Sequence, residues 1–508
     1  MEAARPSLDF ALHKSDLEMI RSFLPMSRAE QYAKGQEIVI PGSESNCVYY
    51  VEEGSVEVST SVKDTKIAVA LIGAGNFFGE IGFFDGISRV RDVRATENTV
   101  IRKFDQRAMK ELQHAEPMLY GEFVTYMAQS ICAKFRRILE EREPLTAYAA
   151  SLSTGRRSFQ ESKPLPEWFF KTPEWSRLNR EVESFKAAFF DLTHQLQRNA
   201  GADTPPELEQ RATQLFDDMN TALGEFQQIA AHEAEGFVWG YVFKEFFPYY
   251  MRSRFAERAY YKPRGYAGDF MMMEMIYQNN PDGDGKIGQL VDGWCLNSAS
   301  ARAVRGRRRL LAKLLEEIIS SQDLGRRSVR IMNLACGSNR ELFDFLGRFK
   351  RTEAIEAICV DADLQALEYT NTRVNVFPHL AAIRLMNDNV VKWSLGSTRH
   401  QYEPFDIIYS AGLTDYLDRR LFLAVVSRCY EHLKPGGVLI IGNFDPSNPN
   451  RLFMDHMLNW KLIYRNANEL SELFAHSPFG HQVRIEAEEQ GVNLFAIATK
   501  VAEEGRAL

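Results

Sequence analysis

Three stretches of the chain concentrate residue types that can do chemistry. The first, Phe78 to Ala95, reads FGEIGFFDGISRVRDVRA: Gly79 and Gly82 flank Glu80, an apolar run follows, and Arg89 comes after a turn at Asp85-Gly86. A loop that opens a helix presents backbone N–H groups to a phosphate. Arg89 can add a bidentate cationic contact to that phosphate, and Glu80 can accept from a ribose hydroxyl. The plainer reading of the same residues is a glycine-rich turn with surface charges. The second stretch, Arg330 to Phe345, reads RIMNLACGSNRELFDF, a strand that ends in small residues and turns into a helix. That shape lets a cofactor approach the backbone closely. No Gly-Lys-Ser/Thr follows, and the spacing G-x-G-x-x-G is absent. The next strand, ICVDAD, places Asp361 at its carboxyl edge, where an acid can accept both hydroxyls of a ribose. A further strand ends at Asn387-Asp388-Asn389, polar groups suited to an adenine edge.

The third stretch, Tyr261 to Tyr277, reads YKPRGYAGDFMMMEMIY, and MLNWKLIYR from Met457 is expected to put Trp460, Tyr464 and Arg465 on a helix. As packing elements these would use methionine to fill an irregular core. A Lys-Pro-Arg-Gly-Tyr loop, however, is costly to bury for packing alone. If the group to be modified is a carboxylate, it needs no base at neutral pH, and Arg264, Tyr266, Tyr464 and Arg465 are candidates to orient it. If it is a hydroxyl or an amine, Asp269, Asp415 or His456 could take the proton.

These residues must be carried by at least three kinds of structure. Residues 33 to 104 hold short β-type runs punctuated by glycine (EIVI, CVYYVEEG, SVEVSTSV, IAVALIG, VIRKF), the pattern of a small all-β barrel or sandwich. Phe123, Met127, Ile131, Phe135 and Ile138 then form one apolar stripe on a long helix. The stripe fits a homodimer seam and a core-facing helix equally. Ser151 to Trp168 is polar and proline-containing, a linker. Helical patterning fills Glu174 to Leu315, with Pro205-Pro206 after an expected Thr204 cap. From Val329 short β runs alternate with helices, which implies a doubly wound α/β domain.

The composition fits this division. The chain has 508 residues, 45% hydrophobic and 25% charged, with 61 basic against 68 acidic groups and a net charge of −7. That balance argues against a nucleic-acid coat, and no apolar run is long enough to span a membrane. The N-terminus lacks the apolar core of a signal peptide, and six scattered cysteines without a C-x-x-C pair read as reduced thiols, so a cytoplasmic protein is expected. No metal site is expected. NPDGDGK at Asn280 lacks the closing glutamate of a calcium loop and reads as a turn.

The Phe78–Ala95 stretch, with KGQEIVIPGSESNCVYYVEEGSVEV before it, resembles the phosphate-binding cassette and β-roll of cyclic-nucleotide-binding domains over about residues 15–140. The resemblance implies that Gly79 and Glu80 hold the ribose side of a cyclic nucleotide (cAMP or similar) and Arg89 the cyclic phosphate. Val90-Arg91 departs from the small or hydroxylated residues usual after the arginine. The alternation from Val329 to Lys500, with LKPGG before the fifth strand, resembles class I S-adenosylmethionine-dependent methyltransferases. That resemblance implies S-adenosyl-L-methionine as cofactor, near Asn333, Ala335, Gly337, Ser338, Asp361, Asp388 and Asn389. The family's opening acid is Asn333 here, and two of its loop glycines are Ala335 and Asn339. The wording of the Tyr261 and Met457 segments is similar to that of synthases of the extracellular factor 3-hydroxypalmitic acid methyl ester, which implies a small-molecule or fatty-acid substrate.

The fold expected is therefore multidomain: an N-terminal β-roll of the cyclic-nucleotide-binding type with its helix (1–145) and a linker (146–172), then a helical middle region serving as a substrate lid (173–320) and a C-terminal α/β Rossmann-like methyltransferase domain (321–508). Catalytic candidates are Arg264, Tyr266, Asp269, Tyr464 and Arg465. The alternative is a non-enzymatic, cyclic-nucleotide-responsive signalling protein whose α/β domain has degenerated.

Overall fold

The computed structural model describes residues 14–62, 65–132, 134, 165–198, 203–230, 234–321, 328–376, 378–397, 400 and 402–501. The chain divides into two compact units, residues 1–252 with 284–290, and residues 253–283 with 291–508. The helical stretch 173–320 thus contributes to both. The linker expected over 146–172 lies outside the described residues as far as 164, as do Phe135 and Ile138. Among the described residues no helix is long and apolar enough to cross a membrane.

The first unit opens with helix α1 (Lys14–Phe23) and strands β1 (Arg28–Tyr32), β2 (Glu37–Val39), β3 (Cys47–Glu53), β4 (Ser55–Val62), β5 (Thr65–Gly73) and β6 (Phe77–Phe78). The short helix α2 (Glu80–Asp85), strands β7 (Asp92–Ala95) and β8 (Thr99–Asp105), and helix α3 (Gln106–Ala115) follow. The strands form two antiparallel four-stranded sheets, ordered β1-β8-β3-β6 and β2-β7-β4-β5. Strand β3 is buried along most of its length because β8 and β6 flank it, which is why its sequence is nearly continuous in apolar residues. Gly54 turns β3 into β4 at φ +81°, and a Cβ there would stand 2.7 Å from the Asn98 carbonyl oxygen, so only glycine fits.

Helix α4 covers residues 117–132. Its stripe residues Phe123 and Met127 are fully buried in the core of the β-roll unit; the Phe123 ring meets Phe23 edge-on at 5.3 Å and Phe104 at 5.6 Å. These two residues therefore face the chain's own core. They are not a free dimer seam. Helices α5 (Pro173–Arg198), α6 (Pro206–Ile229) and α7 (Glu235–Tyr250) pack through Phe189, which meets Phe216, Phe246, Tyr249 and Tyr250. The cap of α6 is Pro205 and not Thr204, with Pro206 in the first turn, where its missing N–H costs nothing.

The second unit holds α8 (Arg254–Tyr261), α9 (Phe270–Gln278), the last turns of α10 (Gly285–Asn297) and α11 (Ala299–Ser321). The α/β part follows as β9 (Val329–Leu334), α12 (Arg340–Leu346), β10 (Ile355–Asp361), α13 (Leu364–Arg373), β11 (Ala382–Asn387) and α14 (Val390–Ser394). It continues with β12 (Phe405–Ser410), α15 (Arg419–His432), β13 (Leu433–Phe444), α16 (Ala467–Ala475), β14 (Val483–Ala487) and β15 (Asn493–Thr499). The seven strands lie in the order β11-β10-β9-β12-β13-β15-β14, the first five parallel and β15 antiparallel to both neighbours. Both faces are covered by apolar clusters, one around α11 and α12 and the other around α15 and α16.

The chain runs outward from β9 through β10 to β11, then returns to β12 on the other side of β9. This reversal opens a crevice beyond the carboxyl ends of β9 and β12, the usual place for a ligand in an open α/β sheet.

Candidate functional site

A cleft of about 760 Å³ occupies that crevice, lined by the β9–α12 loop, the ends of β10 and β12, and the Pro263–Phe270 segment. The loop is shaped by three left-handed residues, Ala335 (φ +55°), Gly337 (φ +52°) and Asn339 (φ +56°). Two of them are not glycine, yet the backbone keeps the conformation that glycine would make easy. A Cβ on Gly337 would meet only Phe270 Cβ, at 3.8 Å, so the loop surface is open to the cleft.

The Gly337 N–H donates to Asp361 Oδ2 at 2.8 Å, and the Asp363 N–H donates to Asp361 Oδ1 at 2.8 Å. Burial raises the Asp361 carboxyl, and the hydrogen bonds from Asp363 and Gly337 only partly offset that. Each oxygen keeps a lone pair that a ribose hydroxyl can use. At the end of β11, Asp388 Oδ1 accepts from the Asn389 N–H at 2.7 Å, while its Oδ2 is buried with no hydrogen-bond partner. Asn389 lines the cleft and caps α14 by accepting from the Lys392 N–H. Of the two residues expected at the adenine edge, Asn389 lines the cleft and Asp388 does not.

Asn333 lies behind the loop, fully buried. Its amide Nδ2 donates to Asn339 Oδ1 at 2.7 Å and to Glu341 Oε1 at 2.9 Å. Glu341, on α12, lines the cleft, and burial raises its carboxyl despite the Asn333 bond. Ser338 also lines the cleft and is buried beside Glu274, whose carboxylate takes Arg340 Nε at 2.8 Å and the Tyr369 hydroxyl at 2.6 Å.

The catalytic candidates divide. Arg264 and Tyr266 line the cleft, but the Arg264 guanidinium is held by both oxygens of Asp363 and stacks on Phe270 at 5.0 Å. It fastens its loop to the end of β10. Asp269 is wholly buried: it caps α9 by accepting from the Met272 N–H and takes a bidentate pair from Arg258 at 2.7–2.8 Å. It has no access to a substrate proton, which corrects its place among the candidate bases.

Residues 459–466 form neither helix nor strand, and N–H groups within them go to other elements: Trp460 to Met454 O, Ile463 to Asp415 O and Arg465 to Phe444 O. Arg465 is buried, and its guanidinium holds Thr414 O, Leu417 O and Asn443 Oδ1. It is a structural clamp, a second correction. Tyr464 does not line the cleft; its ring lies under the Arg451 guanidinium at 4.7 Å.

A smaller chamber of about 40 Å³ adjoins the cleft. Gly268, Met273, Arg307, Gly412 and Tyr416 line both spaces. A Cβ on Gly412 would stand 2.9 Å from the Arg307 Nη atoms, and one on Gly268 would stand 2.6 Å from the Tyr416 hydroxyl, so a side chain at either position would displace these groups. Asp415 lines the chamber; burial drives its carboxyl up to about 6, against a hydrogen bond from the Phe444 N–H. Glu341, Arg307 and Tyr416 were not singled out from the sequence. Arg307 sits in the run RAVRGRRRLL, which reads as a solvated basic face.

In the first unit, Gly79 (φ +82°) precedes α2, and Arg89 is buried with Nη1 on Gly79 O at 2.7 Å, Nη2 on Cys47 O and Nε without a partner. Glu80 is buried too. It accepts from Ser130 Oγ at 3.0 Å and pairs with Lys134, both C-terminal to it in the chain. Burial pushes Glu80 up, but the Lys134 charge and hydrogen bond outweigh it and hold the carboxyl below its ordinary range. The three residues expected to grip a cyclic nucleotide are thus adjacent.

Comparison with known proteins gives each unit a class. Residues 29–116 match the family model described as "Cyclic nucleotide-binding domain", and residues 266–390 match that described as "Putative methyltransferase". The chain therefore carries an N-terminal cyclic-nucleotide-binding domain and a "Putative methyltransferase" segment that runs from the Tyr266 loop through α9–α11 to the start of α14.

Among individual proteins, it is 27% identical over 118 residues to the cAMP-activated global transcriptional regulator CRP of Haemophilus influenzae, covering 23% of this chain and 53% of that one. It is 24% identical over 231 residues to the Escherichia coli protein YnbC, covering 41% of this chain and 36% of that one. A solved cyclic nucleotide-binding domain from Methylobacillus flagellatus aligns with a TM-score of 0.22 at 21% identity, covering 23% of this chain and 67% of that one. The chain spans about half or less of the length of these curated relatives.

Proposed function

We propose that the protein is an S-adenosylmethionine-dependent methyltransferase with a Rossmann-like catalytic domain, acting on a small molecule or fatty acid and regulated by a cyclic nucleotide. The observation that carries the reading is the β9–α12 loop. It keeps its left-handed shape at Ala335, Gly337 and Asn339 and is tied to Asp361 at the strand-order reversal.

The residues present fit such a cofactor. Asp361 offers acceptors to the ribose, Asn389 is the polar group at the cleft wall for an adenine edge, and Gly337 and Ser338 line the cleft beside them. When bound, the cofactor supplies an electrophilic methyl group on a sulfonium. The chain's part is to place the acceptor in line with that methyl and exclude water, so positioning supplies much of the rate. Tyr266 and the Pro263–Phe270 loop cover the cleft. The alternative of a degenerate binding domain rested on the lost glycines at 335 and 339, and the retained backbone shape weighs against it.

Incubation with methyl-labelled S-adenosylmethionine and a cell extract, followed by mass spectrometry of labelled products, tests the proposal. Label in a low-mass product is expected. Absence of label from every fraction would overturn it.

A further inference from the structure

Arg307 and Tyr416 bring hydrogen-bond donors to the junction of the cleft and the chamber. Arg307 is 7% exposed, and among the described residues its guanidinium forms no ion pair. Its Nε has no partner; Nη1 has a long contact of 3.4 Å to Asn493 Oδ1, Nη2 meets the Met273 Sδ at 3.4 Å, and the guanidinium lies over the Phe444 ring at 5.8 Å. Asp415 and Glu341 feel its charge from beyond contact, Asp415 already accepting from the Phe444 N–H and Glu341 from Asn333.

Tyr416 is its neighbour across Gly412 and Gly268. The phenol oxygen accepts from Trp460 Nε1 at 2.9 Å, which leaves its own proton to donate. A buried guanidinium with unused donors beside a hydroxyl donor is costly unless an acceptor arrives, and the acceptor that suits a planar fork is a carboxylate.

Behind these donors Phe255, Ile276, Phe453, Met454 and Leu458 form an apolar wall, while Asp415, Asn450, Ser298 and Ser300 are polar members of the same lining. Its 40 Å³ holds roughly three water-sized groups at ~10–15 Å³ each. We infer that this chamber is the acceptor site and takes a short carboxylic acid, its carboxylate on Arg307 and Tyr416 and its few-carbon apolar end against Met454 and Phe453. This rests on the methyltransferase reading and narrows it against a long-chain fatty acid.

The reaction balances without a base. One carboxylate oxygen attacks the methyl carbon, the O–C bond forms as the S–C bond breaks, and the pair stays on sulfur as a neutral thioether. No proton moves, so the raised Asp415 carboxyl is not required.

The test uses the full chain with butanoate, hexanoate, benzoate and palmitate. Binding is measured by calorimetry in the presence of S-adenosylhomocysteine, and methyl ester formation is measured from labelled donor. Butanoate or hexanoate should bind and be esterified, with palmitate at least tenfold worse in kcat/KM. Arg307→Gln should raise the KM and Kd for the acid tenfold or more while the donor Kd stays within twofold; Arg307→Lys should recover part of the loss. Met454→Ala, which enlarges the chamber, should move the preference to a longer acid. Palmitate preferred over the short acids, no acid bound, or Arg307→Gln weakening donor and acid alike would overturn the inference. Donor binding by the wild type separates these failures from failure of the methyltransferase reading, which would show as no affinity for S-adenosylhomocysteine at all.

Discussion

The Asn333 amide donates to Glu341 Oε1 at 2.9 Å, so the acid that the end of β9 lacks is supplied from α12, eight positions along the chain. The donor–acceptor pair works only with one amide and one acid. Asn333→Asp sets two buried carboxyls against each other and costs roughly 2 kcal/mol, the scale of a buried polar group left unmatched. Adding Glu341→Gln restores the match in reverse and should recover most of the loss in denaturant titration. Additive losses in the double variant would show that the pair does not interact.

Ala335 holds a left-handed conformation that disfavours a side chain by roughly 1–2 kcal/mol. Ala335→Gly should therefore raise stability by up to about 1 kcal/mol once the greater freedom of the unfolded glycine is counted. The cleft shape and donor affinity should hardly change. A lower Tm in Ala335→Gly would mean that the strain is not real.

Asp415 gives a pH signature. Its folded carboxyl is raised to about 6 by burial, above the ordinary value near 4, so the folded state binds more protons than the unfolded state between those values. Its contribution is fully present below about pH 4 and is lost as pH rises through about 6. Asp415→Asn lacks this dependence. The stability of the wild type relative to Asp415→Asn should fall across that window by up to ~3 kcal/mol and stay flat above it. A difference independent of pH from 4 to 8 would contradict the assignment.

Much of this was legible in the residues. The β-roll showed itself as short glycine-bounded apolar runs, and Asp361 and Gly337 stood where the strand–loop–helix pattern put them. What escaped shares one physical cause: spacing does not say which partner a charged side chain will find. Arg264 has the position of a substrate clamp but is held by Asp363, 99 residues along the chain. Arg465 follows an apolar run with helical spacing, yet the backbone there hydrogen-bonds to β13 and the Asp415 turn. Of the arginines on α11, Arg302 is held by Gln490, Arg305 by the Ile276 and Leu296 carbonyls, Arg308 by Asp344 and Arg309 by Glu489, while Arg307 is buried with no acid in contact. Nothing in RAVRGRRRLL marks it.

The nucleotide module makes a separate prediction. Arg89 is a buried cation bonded to the Gly79 carbonyl, and its loss would leave a cyclic phosphate without that counter-ion. Arg89→Ala should abolish cAMP binding in calorimetry and with it any nucleotide-dependent change in methyl transfer, a change of roughly 5–150-fold if coupling is of ordinary size. Rates in the wild type that are identical with and without cAMP, cGMP and cyclic dinucleotides would remove the regulatory role.

The central claim is that the cleft at the ends of β9 and β10 holds S-adenosylmethionine, and titration calorimetry of the full chain with that compound tests it most directly. The account predicts one site per chain, with affinity lowered at least tenfold in Asp361→Ala while the circular dichroism and Tm of the variant show it folded. No binding by the wild type, or binding that Asp361→Ala leaves unchanged, would contradict it.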